Sequence, residues 1–163
     1  MAAEIFTTAA LTRREAGFLN NTDIDNTLDI EPNVKSANAE IEGCVGARYV
    51  VPLSDNTNYT GSSAESFLVE LATQLASSEL LLQQYEGQGG DLLRMADSKI
   101  KLIRKKLENL KAGKILLLDT EGVELALIAA ALSAVSGFPL NSDFDDPDEP
   151  TIVNPAVTMN EKF

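Results

Sequence analysis

The chain offers few residues that do chemistry, and their spacing decides what can be built from them. There is no histidine, and Cys44 is the only cysteine. Ser-His-Asp and Cys-His relays are excluded, together with nearly every transition-metal site, because these need imidazole or several thiolates. Cys44 sits between Gly43 and Val45 in an apolar repeat of helical spacing. A thiol there is a small packing group rather than a nucleophile. A lone cysteine forms no internal disulfide, so nothing indicates an oxidising compartment.

Carboxylates are plentiful, but they fall into no catalytic pattern. Asp23-Ile24-Asp25 opens like a calcium loop, yet Leu28 stands where that loop needs Gly and Val34 where it needs Glu. Asp143, Asp145, Asp146, Asp148 and Glu149 are interrupted by Pro147 and closed by Pro150, which suits a solvated acidic stretch with weak affinity for divalent ions. Paired carboxylates run glycoside hydrolysis, but no pair here is marked by an aromatic sugar platform and the chain has no Trp. Gly87-Gln88-Gly89-Gly90 lacks the Lys-Ser/Thr ending of a phosphate-cradling loop. The sequence therefore predicts no catalytic residue, no metal and no cofactor, and a protein that is not an enzyme.

Charge is the stronger signal. The net charge of −12 excludes a general nucleic-acid binder, since phosphate contacts need clustered Lys and Arg. The cations are nevertheless concentrated. Arg94, Lys99, Lys101, Arg104, Lys105, Lys106, Lys111 and Lys114 are eight of the 13 basic residues, so one segment carries most of the positive charge. Beyond Lys114, nine acids face a single Lys162. The basic segment suits a solvated helix face balanced by acids of the chain's end or of a neighbouring molecule. The competing reading is contact with DNA in a channel; single strands are disfavoured because no aromatic residue is there to stack on bases.

The elements that must position these charges follow from periodicity. Thr7 and Thr8 cap a short helix reaching about Leu19, and residues 20–26 form a turn-rich loop. A second helix starts near Pro32, with Ile30, Val34, Ala37, Ile41 and Val45 as its apolar stripe, and stops before Pro52. Gly43 and Gly46 weaken it, which predicts close approach of a neighbouring backbone. Ser62 or Ser63 caps a long helix whose core face is Phe67, Leu68, Leu71, Leu75, Leu82 and Tyr85, ended by Gly87. Asp91 opens another, roughly 33 Å long, with Leu92, Leu93, Ala96, Ile100, Ile103, Leu107 and Leu110 inward and Gly113 at its end. The Gly-rich connection makes these two an antiparallel hairpin.

After residue 114 the pattern changes. Residues 115–118 suit a strand or docking segment, and residues 123–135 a second short helix. This apolar stretch contains Glu124 and is too short to span a bilayer, which needs roughly 20 residues. Residues 1–10 show no basic region leading into an apolar one, so a soluble intracellular chain is expected. The fold class is mainly α: a small helical bundle with a long antiparallel helical hairpin, a connector domain over residues 1–118, and an extended acidic and apolar arm over 119–163. Phe138, Phe144, Ile152, Val153, Met159 and Phe163 give the arm more apolar surface than a purely solvated tail carries, so it should dock on a partner.

Three segments resemble one family. Asp29-Ile30-Glu31, Ala37-Asn38-Ala39-Glu40-Ile41-Glu42-Gly43 and Ala47-Arg48-Tyr49-Val50-Val51-Pro52-Leu53 are similar to the Mu-like head–tail connector, or head-completion, proteins of tailed bacteriophages. The stretch from Leu71-Ala72 to Leu82 resembles that family's next helix. Lys99 to Lys114, ending in Leu110-Lys111-Ala112-Gly113-Lys114-Ile115, resembles its last. Cys44 and Val45 depart from it, standing where the family often has an aromatic residue and Leu.

The resemblance implies a structural virion protein, a head–tail adaptor of the neck. About a dozen copies would form a ring below the portal protein and bind a downstream neck or tail protein, closing one heterologous contact around an axis. DNA would pass through without sequence-specific binding. Such a protein is made and assembled in the host bacterial cytoplasm. The resemblance places Arg94, Lys101, Arg104 and Lys105 with the arm's apolar residues at subunit and portal contacts. Asp143, Asp145, Asp146, Asp148 and Glu149 would face the channel, where acids repel phosphates. The alternative is a soluble helical regulatory module that captures a partner protein through its hairpin; a carboxylate-dependent hydrolase is a distant third.

Removing residues 138–163 is expected to leave cooperative unfolding intact while weakening assembly. Denaturation and sedimentation of the truncated chain check this, and loss of cooperative unfolding contradicts it.

Overall fold

A computed structural model describes residues 5–18, 21–85 and 90–128. Within these the protein is mainly helical: α1 (Ala9–Glu15), α2 (Glu31–Val45), α3 (Ser63–Gln84) and α4 (Asp91–Lys111), with a π-turn at Asn26–Ile30 and a 3-10 turn at Leu53–Asp55. Pairing outside the helices is limited, among the described residues, to isolated antiparallel bridges joining Tyr49 to Leu127 and Leu118 to Glu124.

Side chains cap the starts of α1 and α3, and backbone amides close the helix ends. Thr8 Oγ1 accepts from the Leu11 amide and starts α1. This helix is shorter than the expected run to Leu19. Gly17, at φ +80°, turns the chain so that Phe18 is buried and stacks on Tyr85, ring centres 6.4 Å apart. The expected loop at 20–26 gives way to helical winding by Asn26, because the Asp25 carboxylate accepts from the Thr27 and Leu28 amides. At α3, Ser62 Oγ accepts from the Glu65 amide while Glu65 Oε2 accepts from the Gly61 amide, a reciprocal cap. At the end of α4, the Gly113 amide donates to the Leu110 carbonyl and the Lys114 amide to Asn109. Gly113, at φ +71°, takes the left-handed position of a Schellman motif. A Cβ at this position would also collide with the Arg48 guanidinium.

The core sits where α3 meets α2 and α4. Ala37, Ile41 and Val45 from α2, Leu68, Leu71, Leu75 and Ala76 from α3, and Ile103, Leu107 and Leu110 from α4 are buried together. Each of the larger side chains contributes about 1.5–3 kcal/mol by leaving water. The chain between Gln84 and Asp91 reaches roughly 25 Å at most, less than the length of either helix, so two long helices packed on each other must run antiparallel. Cys44 is buried and free, packed with this cluster.

Four expectations are corrected. α2 stops at Val45 rather than running toward Pro52, because residues 48–50 pair with residues 126–128: the Val50 amide donates to Ala126 and the Ile128 amide to Arg48. No neighbouring backbone closes on Gly43, which faces open space, and Gly46 meets the side chain of Val51. Leu92 is exposed although it is in phase with the inner stripe, since that stripe is first buried at Ala96. Residues 123–127 are extended rather than helical, and Leu117 and Leu125 join the core, which therefore continues past Leu118. Residues 129–135 of the expected helix, and Gly87 with its neighbours, lie outside the described residues.

Ile103→Ala is expected to lower the unfolding free energy by about 2–5 kcal/mol, while Leu102→Ala one residue away stays within about 0.5 kcal/mol. Urea denaturation of the pair checks which face of α4 is inside.

Candidate functional site

The site is the outer surface of α4 together with the contacts that fix this helix in place. Ala96, Ile100, Ile103, Leu107 and Leu110 point inward. At about 100° per residue, Arg94, Ser98, Lys101 and Lys105 lie opposite them, with Met95 and Leu102 on one flank. All six are exposed. Leu92, Met95 and Leu102 are more than half exposed, at 56, 58 and 55%. Their spacing of three and seven places them along one side of the helix. This flank also carries Lys99 and Lys106.

The sequence grouped Arg94, Lys101, Arg104 and Lys105 together, but the structure separates them. Arg94 is solvated, 4.0 Å from Asp91. Lys101 donates to Asp97 one turn earlier at 2.6 Å, with both side chains more than half exposed. Pairs like this contribute a few tenths of a kcal/mol. Lys105 has no ion pair among the described residues. Arg104 instead turns inward to the junction of three helices. Its Nε and Nη2 donate to the two oxygens of Glu40 on α2 at 3.0 and 3.1 Å, and Nη2 lies 3.7 Å from Glu79 on α3. Burial pushes the Glu79 carboxyl up, and the charge of Glu40 pushes it further, against the pull of Arg104 and the Ser36 hydroxyl. Arg104 is thus the cation that keeps two neighbouring carboxylates tolerable. Phe138, Phe144, Ile152, Val153, Met159 and Phe163 lie outside the described residues, as do Asp143, Asp145, Asp146, Asp148 and Glu149.

A second polar junction fixes the chain that leaves α4. Arg48 Nη2 donates to Glu124 Oε1 at 2.7 Å, the hydroxyl of fully buried Tyr49 donates to the same oxygen at 3.1 Å, and the Leu117 amide donates to that hydroxyl. The arrangement clamps residues 115–128 onto the end of α2. The Arg48 hydrogen bond pulls the Glu124 carboxyl below its ordinary value; partial burial opposes this and the Tyr49 hydroxyl assists it. Burial pushes the Tyr49 phenol up.

A third contact was not legible in the sequence. Asn38 Oδ1 accepts from the amides of Phe6 and Thr7, its Nδ2 donates to the Thr7 carbonyl, and Thr7 shares a hydrogen bond with Thr73. This holds the segment before α1 across α2 and forms an open apolar groove of about 410 Å³ beside it. The only sequence signal is an amide side chain near the stripe of α2, which does not name its partner.

Among the described residues no three His, Cys, Asp or Glu stand close enough to hold a metal, and no helix is long and apolar enough to cross a membrane. Chemically, the surface offers apolar contact edged by cations. Comparison with protein-family models, curated proteins and solved structures found no match to this chain.

Glu124's folded value lies below its unfolded value near 4.5, so the stability it supplies is fully present above that pH and is lost as pH falls through the lowered folded value. Thermal melts from about pH 5 to about pH 3 should show this loss in the native chain and a flatter acid limb in Glu124→Gln. Amide exchange at Val50 should quicken in the variant even at neutral pH. Identical acid limbs would remove Glu124 from the clamp.

Proposed function

We propose that this protein is a structural subunit without catalytic activity, a head–tail adaptor of a tailed bacteriophage that assembles with its own copies into a ring below the portal. One observation carries the self-assembly reading. α4 is anchored along its inner stripe from Ala96 to Leu110, yet Met95 and Leu102 on its flank, with Leu92 in its first turn, stand exposed among Lys99, Lys105 and Lys106. Apolar side chains in a row on a helix, framed by cations, suit a protein contact better than solvent. The resemblance of residues 29–53, 71–82 and 99–115 to Mu-like connector proteins supplies the phage assignment.

A ring suits the electrostatics. Subunits of net charge −12 repel DNA phosphates, so a duplex passing through their assembly slides rather than sticks. The same charge makes free subunits repel one another, which favours assembly on a template such as the portal over spontaneous aggregation. The downstream partner is a neck or tail protein, and the site of function is the virion neck. The alternative, a regulatory module capturing one partner through its hairpin, rests on the same exposed face of α4 but requires a small complex of fixed size.

Sedimentation of the chain alone and mixed with portal distinguishes the two. The adaptor reading expects weakly associating subunits that join a large symmetric particle with portal, and antibody labelling at the virion neck. A small complex of fixed stoichiometry, with no label on virions, refutes it.

A further inference from the structure

The proposed ring needs two different surfaces on each subunit, and the Arg104–Glu40 bridge shows where they lie. Arg104 points from α4 toward α2. Around the helix axis, Met95 lies about 180° from Arg104 and Leu102 about 200°, so the exposed strip faces away from α2. Glu40 points from α2 toward α4. Glu31 lies about 180° from Glu40 around α2, and Asn38 and Glu42 about 200°. These three line the groove held open by the clamped segment before α1. The strip and the groove therefore occupy opposite flanks of the subunit, with the bridge between them.

Resting on the adaptor reading, we infer that the strip Leu92, Met95 and Leu102 of one copy seats in the groove between the segment before α1 and α2 of the next. Both surfaces are apolar: the groove wall includes the side chains of Ile5, Val34 and Ala39, and Ile5 is 73% exposed. Their charges are opposite. Lys99, 3.9 Å from Glu15, and Lys106 edge the strip, with Lys105 close by. The groove carries Glu31, Lys35 and Glu42, of which Lys35 reaches Glu31 at 3.6 Å and Glu42 has no ion pair among the described residues. Two copies of net charge −12 repel at long range, and this is the pairing that sets the cationic face of one against a surplus of acid on the other. A contact between unlike surfaces on opposite flanks repeats head to tail, as ring closure requires.

The test uses two full-length variants, each blocking one surface: Leu102→Asp on the strip and Ala39→Arg in the groove. Both positions are exposed, so each variant should melt like the native chain; should Ala39→Arg fail to fold, Glu42→Lys blocks the same wall. Sedimentation velocity is run on the native chain, each variant alone, and an equal mixture, all with and without portal. The native chain assembles, and each variant alone associates about tenfold or more weakly. The mixture forms a dimer and nothing larger, because only one strip and one groove remain competent. Native-like assembly of Leu102→Asp, as expected if the groove takes a segment from residues 129–163 instead, overturns the inference. So does native-like association of Ala39→Arg alone, as expected if strips pair with strips, and so does a mixture that stays monomeric. In each case the adaptor reading stands if the native chain assembles on portal. A native chain that never assembles removes both.

Discussion

The inner stripe of α4 determines the outside of this molecule as well as its inside. Five residues at helical spacing, from Ala96 to Leu110, lock the rotation of the helix against α2 and α3. A rotation of half a turn would bury Lys101 and Lys105 and expose Ile100 and Ile103. The first change places unpaired ammonium groups in an aliphatic interior, and the second loses several kcal/mol of apolar burial. Neither is tolerable in a domain whose whole stability is about 5–15 kcal/mol. The exposure of Met95 and Leu102 is therefore imposed by the fold, and any partner for them must come from outside the described residues.

The two polar junctions play different parts in holding that geometry. Arg104 joins three helices and compensates a carboxylate, Glu79, that burial makes reluctant to ionise. Removing the guanidinium would leave two acids facing one another, so the bridge fixes the relative positions of α2 and α4 more than it adds net stability. The junction of Arg48, Tyr49 and Glu124 works on the chain instead of the helices. It holds residues 115–128 as a third layer of backbone contact beside the end of α2, and Gly113 leaves room for the Arg48 guanidinium that makes this possible.

The helices were legible because their stripes have the right period and two ends carry recognisable caps. Ser62 with Glu65 and Gly113 serve where the spacing places them, Asp91 stands in the first turn of α4 without capping it, and the buried faces of α2, α3 and α4 follow the apolar repeat with Leu92 as the exception. Residues 123–127 misled because Ala and Leu suit a helix locally, whereas the decisive contacts, Leu125 with Leu117 and Glu124 with Arg48, are distant in sequence. Gly43 misled for a related reason: a helix glycine suggests a close neighbour, but only the packed molecule shows open space there. Of the candidate surface, the basic character of α4 could be read from composition. The inward turn of Arg104 could not, since it depends on Glu40 and Glu79 arriving from two other helices. The groove was invisible, because Asn38 names neither Phe6 nor Thr7 as its partner.

For the proposed ring, the direction of Arg104 matters most. If this guanidinium had pointed outward with Lys101 and Lys105, the cations would form one symmetrical belt, and a belt can pair with a partner in several registers. With Arg104 drawn to Glu40, Lys99 and Lys106 flank the apolar strip on the far side of α4, and the groove lies on the far side of α2. A subunit with unlike surfaces on opposite flanks has a direction. Two such subunits facing one another satisfy neither surface, whereas two in sequence satisfy one and leave one free at each end. In the proposed ring, growth would continue until the rotation between neighbours brought the last free groove to the first free strip. In the proposed ring the Arg104–Glu40 bridge would touch no partner: it would act by holding apart the surfaces that meet on different molecules.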